Sequence, residues 1–156
     1  MTTRRMEDKI SHTTRLNNVS VRDIAALRAA VEQINAAKGL NLSVKENSTC
    51  RMYFAEDNVP CDVVVHVPGC RFDLGFRKTA NNTYEAVFDA HGGELARFLG
   101  GGQHIAKTDE ERKLSNIGGL MQAYTQKVLE TAAMNNGFSV YAQHDEATGN
   151  LIMQIA

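Results

Sequence analysis

Hydrophobic and polar positions change period several times along the chain, and each change marks an element. Residues 9–16 mix Ile10 and Leu16 with Thr13 and Thr14, which predicts a short first strand. Asn17-Asn18 then reads as a turn. Ser20 is placed to cap a helix, with Asp23 three residues on, close to a capping box. Ile24, Leu27, Val31 and Ile34 recur at three- and four-residue spacing with alanines among them. That spacing predicts one amphipathic helix, closed at Lys38-Gly39. Leu40, Leu42 and Val44 alternate with polar residues, so a strand is expected over 40–45, followed by an irregular polar stretch over 46–58. Cys61-Asp-Val-Val-Val-His-Val67 is a nearly continuous apolar run, as in a strand covered on both faces, and Pro68-Gly69 ends it.

The clearest signal lies between Arg71 and Asp89. Phe72, Leu74 and Phe76 alternate with Arg71, Asp73, Gly75 and Arg77. After a turn at Asn81-Asn82, Tyr84, Ala86 and Phe88 alternate with Glu85, Val87 and Asp89. The pattern predicts a β-hairpin with an aromatic face on the core and a charged, solvated face. Residues 91–107 carry five glycines and read as a long loop, with a short helical piece over 94–99. Thr108-Asp-Glu-Glu111 forms a capping box ahead of a long helix with Leu114, Ile117, Met121, Tyr124, Val128 and Ala132 on one stripe. Gly118-Gly119 predicts a kink or a late start within it. Two short strands follow, at Phe138, Val140 and Ala142 and over 151–155.

This order predicts an α+β fold: an antiparallel or mixed sheet of about six to seven strands with two helices packed on one face. Residues 1–10 read as a flexible N-terminal segment and 11–156 as a single domain, with inserted loops near 46–58 and 92–107. At 156 residues and 43% hydrophobic content the chain can build a core of its own. Seventeen basic and eighteen acidic residues leave a formal charge of -1, so no global excess of positive charge draws it to nucleic acid. The polar start lacks an apolar stretch behind its positive charges, and no run is long enough to span a bilayer. Three cysteines fit a reducing compartment. The expectation is a cytoplasmic protein, or its equivalent in a plastid stroma or an infected host cell, with no membrane contact.

The hairpin residues Phe72-Asp-Leu-Gly-Phe-Arg77 and Thr83-Tyr-Glu-Ala-Val-Phe-Asp89 make a recognisable pattern with Cys61-Asp-Val-Val-Val. Gln122-Ala-Tyr124-Thr-Gln-Lys127-Val, Gly137-Phe-Ser-Val and Leu151-Ile-Met-Gln extend it, as does the opening Ser11-His12. Together they resemble a domain-of-unknown-function family that includes the hypothetical chloroplast reading frame thirty-five product, with members in cyanobacteria, plastids, other bacteria and phages. The resemblance implies the fold. It brings no catalytic residues with it.

Several groups of residues carry candidate chemistry. Cys61, His66 and Cys70 offer zinc-ligand types, with Cys50 or His91 to complete the set, but a spacing of five on a strand points Cys61 and His66 to opposite faces. Thiol nucleophile chemistry would need His66 or His91, with Asp89, brought to a cysteine. Asp89, His91 and Glu94 gather an imidazole and two acids where a strand gives way to a glycine-rich loop, and are the catalytic candidates. Gly100 to Gly102 precede a helix, yet the Walker lysine and hydroxyl are missing and Lys107 is out of register, so a flexible insertion is expected. Arg71, Asp73, Arg77, Lys78 and Glu85 are the candidate binding residues on the polar side of the hairpin. With Arg4, Arg5, Lys9 and Arg15 the basic members could form a patch, diluted by Asp73 and Glu85. No cofactor is predicted. The sequence favours a non-catalytic module that binds another protein or itself. A nucleic-acid-binding accessory protein, and an enzyme or small-ligand binder using the His91 loop, are the alternatives.

Overall fold

The computed structural model describes residues 13–19, 21–79, 84–101, 108–137, 140–144 and 151–155. Seven strands and four α-helices follow one another in these segments. They are β1 (Thr13–Val19), α1 (Ile24–Lys38), β2 (Ser43–Cys50), β3 (Val59–His66), β4 (Leu74–Lys78), β5 (Tyr84–Asp89), α2 (Glu94–Leu99), α3 (Asp109–Ser115), α4 (Gly118–Asn135), β6 (Val140–His144) and β7 (Leu151–Ile155). The class is α+β, as the alternation predicts. The strands do not make one sheet of six or seven. Five form an antiparallel sheet in the order β1-β5-β4-β3-β2, and β6 and β7 form a separate two-stranded ladder. There are four described helices rather than two, because 94–99 is a true helix and the C-terminal stripe is broken between α3 and α4.

The chain divides into two compact units: β1 and residues 41–98 in one, α1 and everything from Leu99 onward in the other. In the first unit the registers Val64↔Gly75 and Gly75↔Val87 put these three residues in one row across the central strands. Val64 and Val87 of that row belong to one buried cluster with Cys50, Met52 and Cys61, and Val59 packs against it. Phe72, Leu74, Phe76 and Phe88 are fully buried as well. The hairpin therefore has no solvated face at its centre: Leu74, Gly75 and Phe76 are all buried, and so are Ala86 to Asp89. Strict alternation failed because the second face acquires a thioether- and thiol-rich core from β2, β3 and the segment after β2. Within β4 and β5, charged side chains reach solvent at the end where one strand runs into the next. There Arg77 and Glu85 are register partners, and Glu85 takes a 2.8 Å ion pair from Arg15.

Other boundaries shifted for local reasons. Asn17 and Asn18 do not turn the chain but lie within β1, where the register slips between Leu16 and Val19. Ser20 lies outside the described residues. The α1 cap is Asp23, whose side chain accepts from the Ala26 N–H at 2.9 Å. Gly39 closes α1 in the left-handed region at φ 64, as its place after Lys38 predicts. β2 extends to Cys50 instead of stopping at 45, although its middle is polar and exposed. It is an edge strand, so its outward positions need no apolar side chain.

In the second unit α1 packs against α4, and the Asp23 N–H donates to the Tyr124 hydroxyl at 3.2 Å. The capping box at Thr108 is present, with Thr108 accepting from the Glu111 N–H at 3.1 Å. Leu114 ends up 44% exposed, because the chain stops and restarts at Ile117 and carries it off the stripe. Ile117, Leu120 and Tyr124 are buried.

Gly75 sits where the second-face core is tightest. A Cβ there would lie 2.5 Å from the Cys61 sulfur and 3.0 Å from the Cys50 Cβ. Gly75→Ala is expected to destabilise the fold by about 1–3 kcal/mol, the usual cost of overpacking. Adding Cys61→Ala should recover part of that loss in urea unfolding, because the nearest clashing atom is then gone.

Candidate functional site

The site grows from the chain leaving β2. Beyond Cys50 the backbone turns away from the ladder, so its N–H groups need other acceptors. Three successive amides find side-chain oxygens. Arg51 N donates to Asp73 Oδ2 at 3.1 Å, Met52 N to Asn58 Oδ1 at 2.8 Å and Tyr53 N to Asp89 Oδ2 at 2.9 Å. Asp73 and Asp89 are the two buried acids of the described residues, 2% and 1% exposed. They flank the hairpin at β4 and β5 and fix the same segment from both sides.

Asp73 is the more heavily used. Besides the Arg51 backbone it accepts Arg51 Nε at 3.0 Å, Arg51 Nη2 at 2.9 Å, His66 Nδ1 at 2.9 Å and the Val67 N–H at 3.2 Å. A carboxylate can only accept, so the His66 proton on this contact sits on Nδ1. Burial alone pushes the Asp73 carboxyl up. The Arg51 guanidinium, with the Arg51 and Val67 amides, outweighs burial and holds it below the ordinary range. Arg51 Nη2 also donates to the Val67 and Cys70 carbonyls, both at 3.0 Å, tying down the turn that precedes β4.

Asp89 organises a more open cluster. Its Oδ1 accepts the His91 N–H at 2.9 Å, so one carboxylate holds the backbone of both Tyr53 and His91. Their rings meet with centroids 4.6 Å apart, and Phe54 stands edge-on to Tyr53 at 4.8 Å. The Arg71 guanidinium lies 5.4 Å from the ring centres of both Tyr53 and Phe72, within cation–π range. Glu94, at the start of α2, fixes that guanidinium with bonds of 3.0 and 3.3 Å. Tyr53 is 38% exposed and the Arg71 side chain 62% exposed.

The structure therefore brings together Arg71, Asp89, His91 and Glu94, around a Tyr53 that the sequence did not single out. Asp73 belongs to the neighbouring Arg51–His66 network. Arg77, Lys78 and Glu85 stand elsewhere, at the end of the hairpin where β4 runs into β5: Arg77 shares Glu85 with Arg15, and the Lys78 N–H donates to Asp62 at 2.6 Å. Arg4, Arg5, Lys9 and Lys107 lie outside the described residues. Cys61, His66 and Cys70 are not assembled. Cys61 lies with Cys50, His66 binds Asp73, and Cys70 sits in the turn under Arg51. Among the described residues no three His, Cys, Asp or Glu side chains are placed to hold a metal ion. Gly100 and Gly101 form no open loop but press against the start of α4, Gly101 meeting the Gly119 backbone. No helix among the described residues is long and apolar enough to cross a membrane.

No curated protein and no solved structure matches the chain. Residues 36–153 match a family described as a protein of unknown function, DUF1257, a span that runs from the end of α1 into β7 and takes in both candidate networks. On that match, over most of its length, the chain belongs to the DUF1257 family.

Proposed function

We propose that this chain is a non-catalytic interaction module whose docking face for a partner protein is the Tyr53–Arg71–His91 patch. The observation that carries the reading is the construction of Tyr53. Its ring is part-exposed beside an exposed arginine, while its backbone is bonded to a fully buried carboxylate. Tyrosine and arginine dominate binding hot spots, because each offers large contact area with few torsions to freeze or several donors in a fixed fork. A pre-ordered patch loses less entropy on binding. Asp89 and His91 support this reading better than a catalytic one, since both Asp89 oxygens are occupied by backbone N–H groups. Glu94 sits against Arg71 and offsets its charge, which favours a protein partner over a polyanion.

The test is affinity capture and cross-linking with the wild-type chain, Tyr53→Ala, Arg71→Glu and the distant control Arg77→Ala. A partner held by wild type and control should bind the two patch variants ten- to a hundred-fold more weakly, about 1.4–2.8 kcal/mol. Equal recovery by all four chains would refute the assignment. Light scattering on the same samples detects self-association through the patch. Salt-dependent oligonucleotide binding lost in Arg71→Glu would instead support the nucleic-acid reading.

A further inference from the structure

Cys50 and Cys61 stand on neighbouring strands, one opposite Val59 and the other opposite Ser48, a diagonal cross-strand pair. Both are free thiols in one buried cluster. Their sulfurs flank a single point: a Cβ on Gly75 would lie 2.5 Å from the Cys61 sulfur and 3.1 Å from the Cys50 sulfur. The space a side chain would have filled on β4 is occupied by two thiols. Their surroundings differ. Cys50 is fully buried, with its sulfur 3.4 Å from the Asp73 carbonyl and 3.7 Å from the Val87 carbonyl. Cys61 is 6% exposed and lies toward the Arg15–Arg77 end of the hairpin. The thiol of Cys50, as hydrogen-bond donor, lowers the Cys61 thiol below its ordinary value, and the charges of Arg77 and Arg15 act in the same direction against burial. The Cys61 contact and burial push Cys50 up. Such an asymmetric pair has one sulfur better suited to attack first, and a second that attacks afterwards as it gives up its proton to the departing hydroxide.

We propose that Cys50 and Cys61 form a reversible dithiol–disulfide couple oxidised by hydroperoxides, with Cys61 attacking and Cys50 resolving. The Cys61 thiolate attacks one peroxide oxygen. The O–O bond breaks, the other oxygen leaves as hydroxide (or alkoxide) and takes up a proton, and Cys61 becomes a sulfenic acid, oxidised by two electrons. The Cys50 sulfur then attacks the Cys61 sulfur. The S–O bond breaks, and hydroxide leaves as water with the Cys50 proton. With hydrogen peroxide, two thiols and one peroxide give one disulfide and two waters. The disulfide closes a ring over residues 51–60, the segment that Asp73 and Asp89 hold in place. This couple stands independently of any partner at Tyr53.

The full chain, reduced and freed of reductant, is treated with one equivalent of hydrogen peroxide. Titratable thiols should fall from the three free cysteines to one, peptide mapping should join Cys50 to Cys61, and dithiothreitol should restore all three. Cys70→Ser should still lose two thiols. Cys50→Ser should halt at a Cys61 sulfenic acid captured by dimedone, whereas Cys61→Ser should give no sulfenic acid at Cys50. The proposal is overturned if wild type keeps three thiols, if Cys70 enters the bridge, or if Cys61 passes to sulfinic acid without a bridge. The wild-type map decides the matter even where a variant fails to fold.

Discussion

Asp73→Ala is expected to lower stability by roughly 3 kcal/mol in urea unfolding at neutral pH. The carboxylate is 2% exposed and accepts two backbone amides, two nitrogens of one guanidinium and an imidazole N–H. Alanine leaves the Arg51 and Val67 amides without acceptors, and a stranded buried donor costs about 1–3 kcal/mol. The Arg51 side chain is 37% exposed, so water can resolvate part of its charge. For that reason the expected loss stays at the low end of what breaking a buried ion pair costs. The pH dependence has a definite sign. The folded carboxyl is held below its ordinary value of 3.8, so its contribution is complete above that value and is lost as pH falls through the folded one. The stability gap between wild type and Asp73→Ala should be constant near neutrality and narrow only in acid, below about pH 4. A gap that stays constant down to pH 2, or is absent at pH 7, would show that Asp73 is not the acid-labile support described above.

Much of the first unit was legible because its signals are local. Alternation located β4 and β5, and the apolar run located β3, while in the second unit Gly39 located the end of α1. What escaped depends on contacts between distant positions. Asp73 alternates with Phe72 and Leu74, so by pattern alone it belongs on a solvated face. It is buried because Arg51, twenty-two residues earlier, returns to meet it. Residues 46–58 carry no periodic signal, yet they supply the second-face core through Cys50 and Met52 and the centre of the patch through Tyr53. One sequence signal could have raised Asp73: an acid between two large apolar residues in a strand demands a partner. Nothing comparable marks Tyr53. The pairing of Cys50 with Cys61 needs the β2–β3 register, which a polar edge strand specifies only weakly. His91 and Glu94 could be grouped by sequence because they are three residues apart, but their roles, ring contact and arginine clamp, depend on Tyr53 and Arg71.

Gly119→Ala and Gly118→Ala are expected to act in opposite directions. Both positions lie in the first turn of α4, where helix propensity alone favours alanine over glycine by up to about 1 kcal/mol. At Gly118 an added Cβ meets the Gly101 carbonyl at 3.5 Å, an ordinary contact, so the propensity gain should survive. At Gly119 the Cβ would lie 2.6 Å from the Gly100 oxygen and 3.1 Å from the Leu99 oxygen. Those are backbone atoms and cannot swing aside as a side-chain tip does. Overpacking of this kind costs about 1–3 kcal/mol and here should reach the upper end, leaving a net loss of about 2 kcal/mol after the propensity gain. The approach is mutual, since a Cβ on Gly101 would fall 2.9 Å from the Gly119 Cα. Glycines that read as a flexible insertion thus act as the contact surface of a backbone crossing. Urea midpoints of the two alanine variants decide between these readings. If Gly100 and Gly101 only lend flexibility, Gly119→Ala should stabilise the chain just as Gly118→Ala does. If the crossing is tight, adjacent substitutions of the same chemistry should move the midpoint in opposite directions.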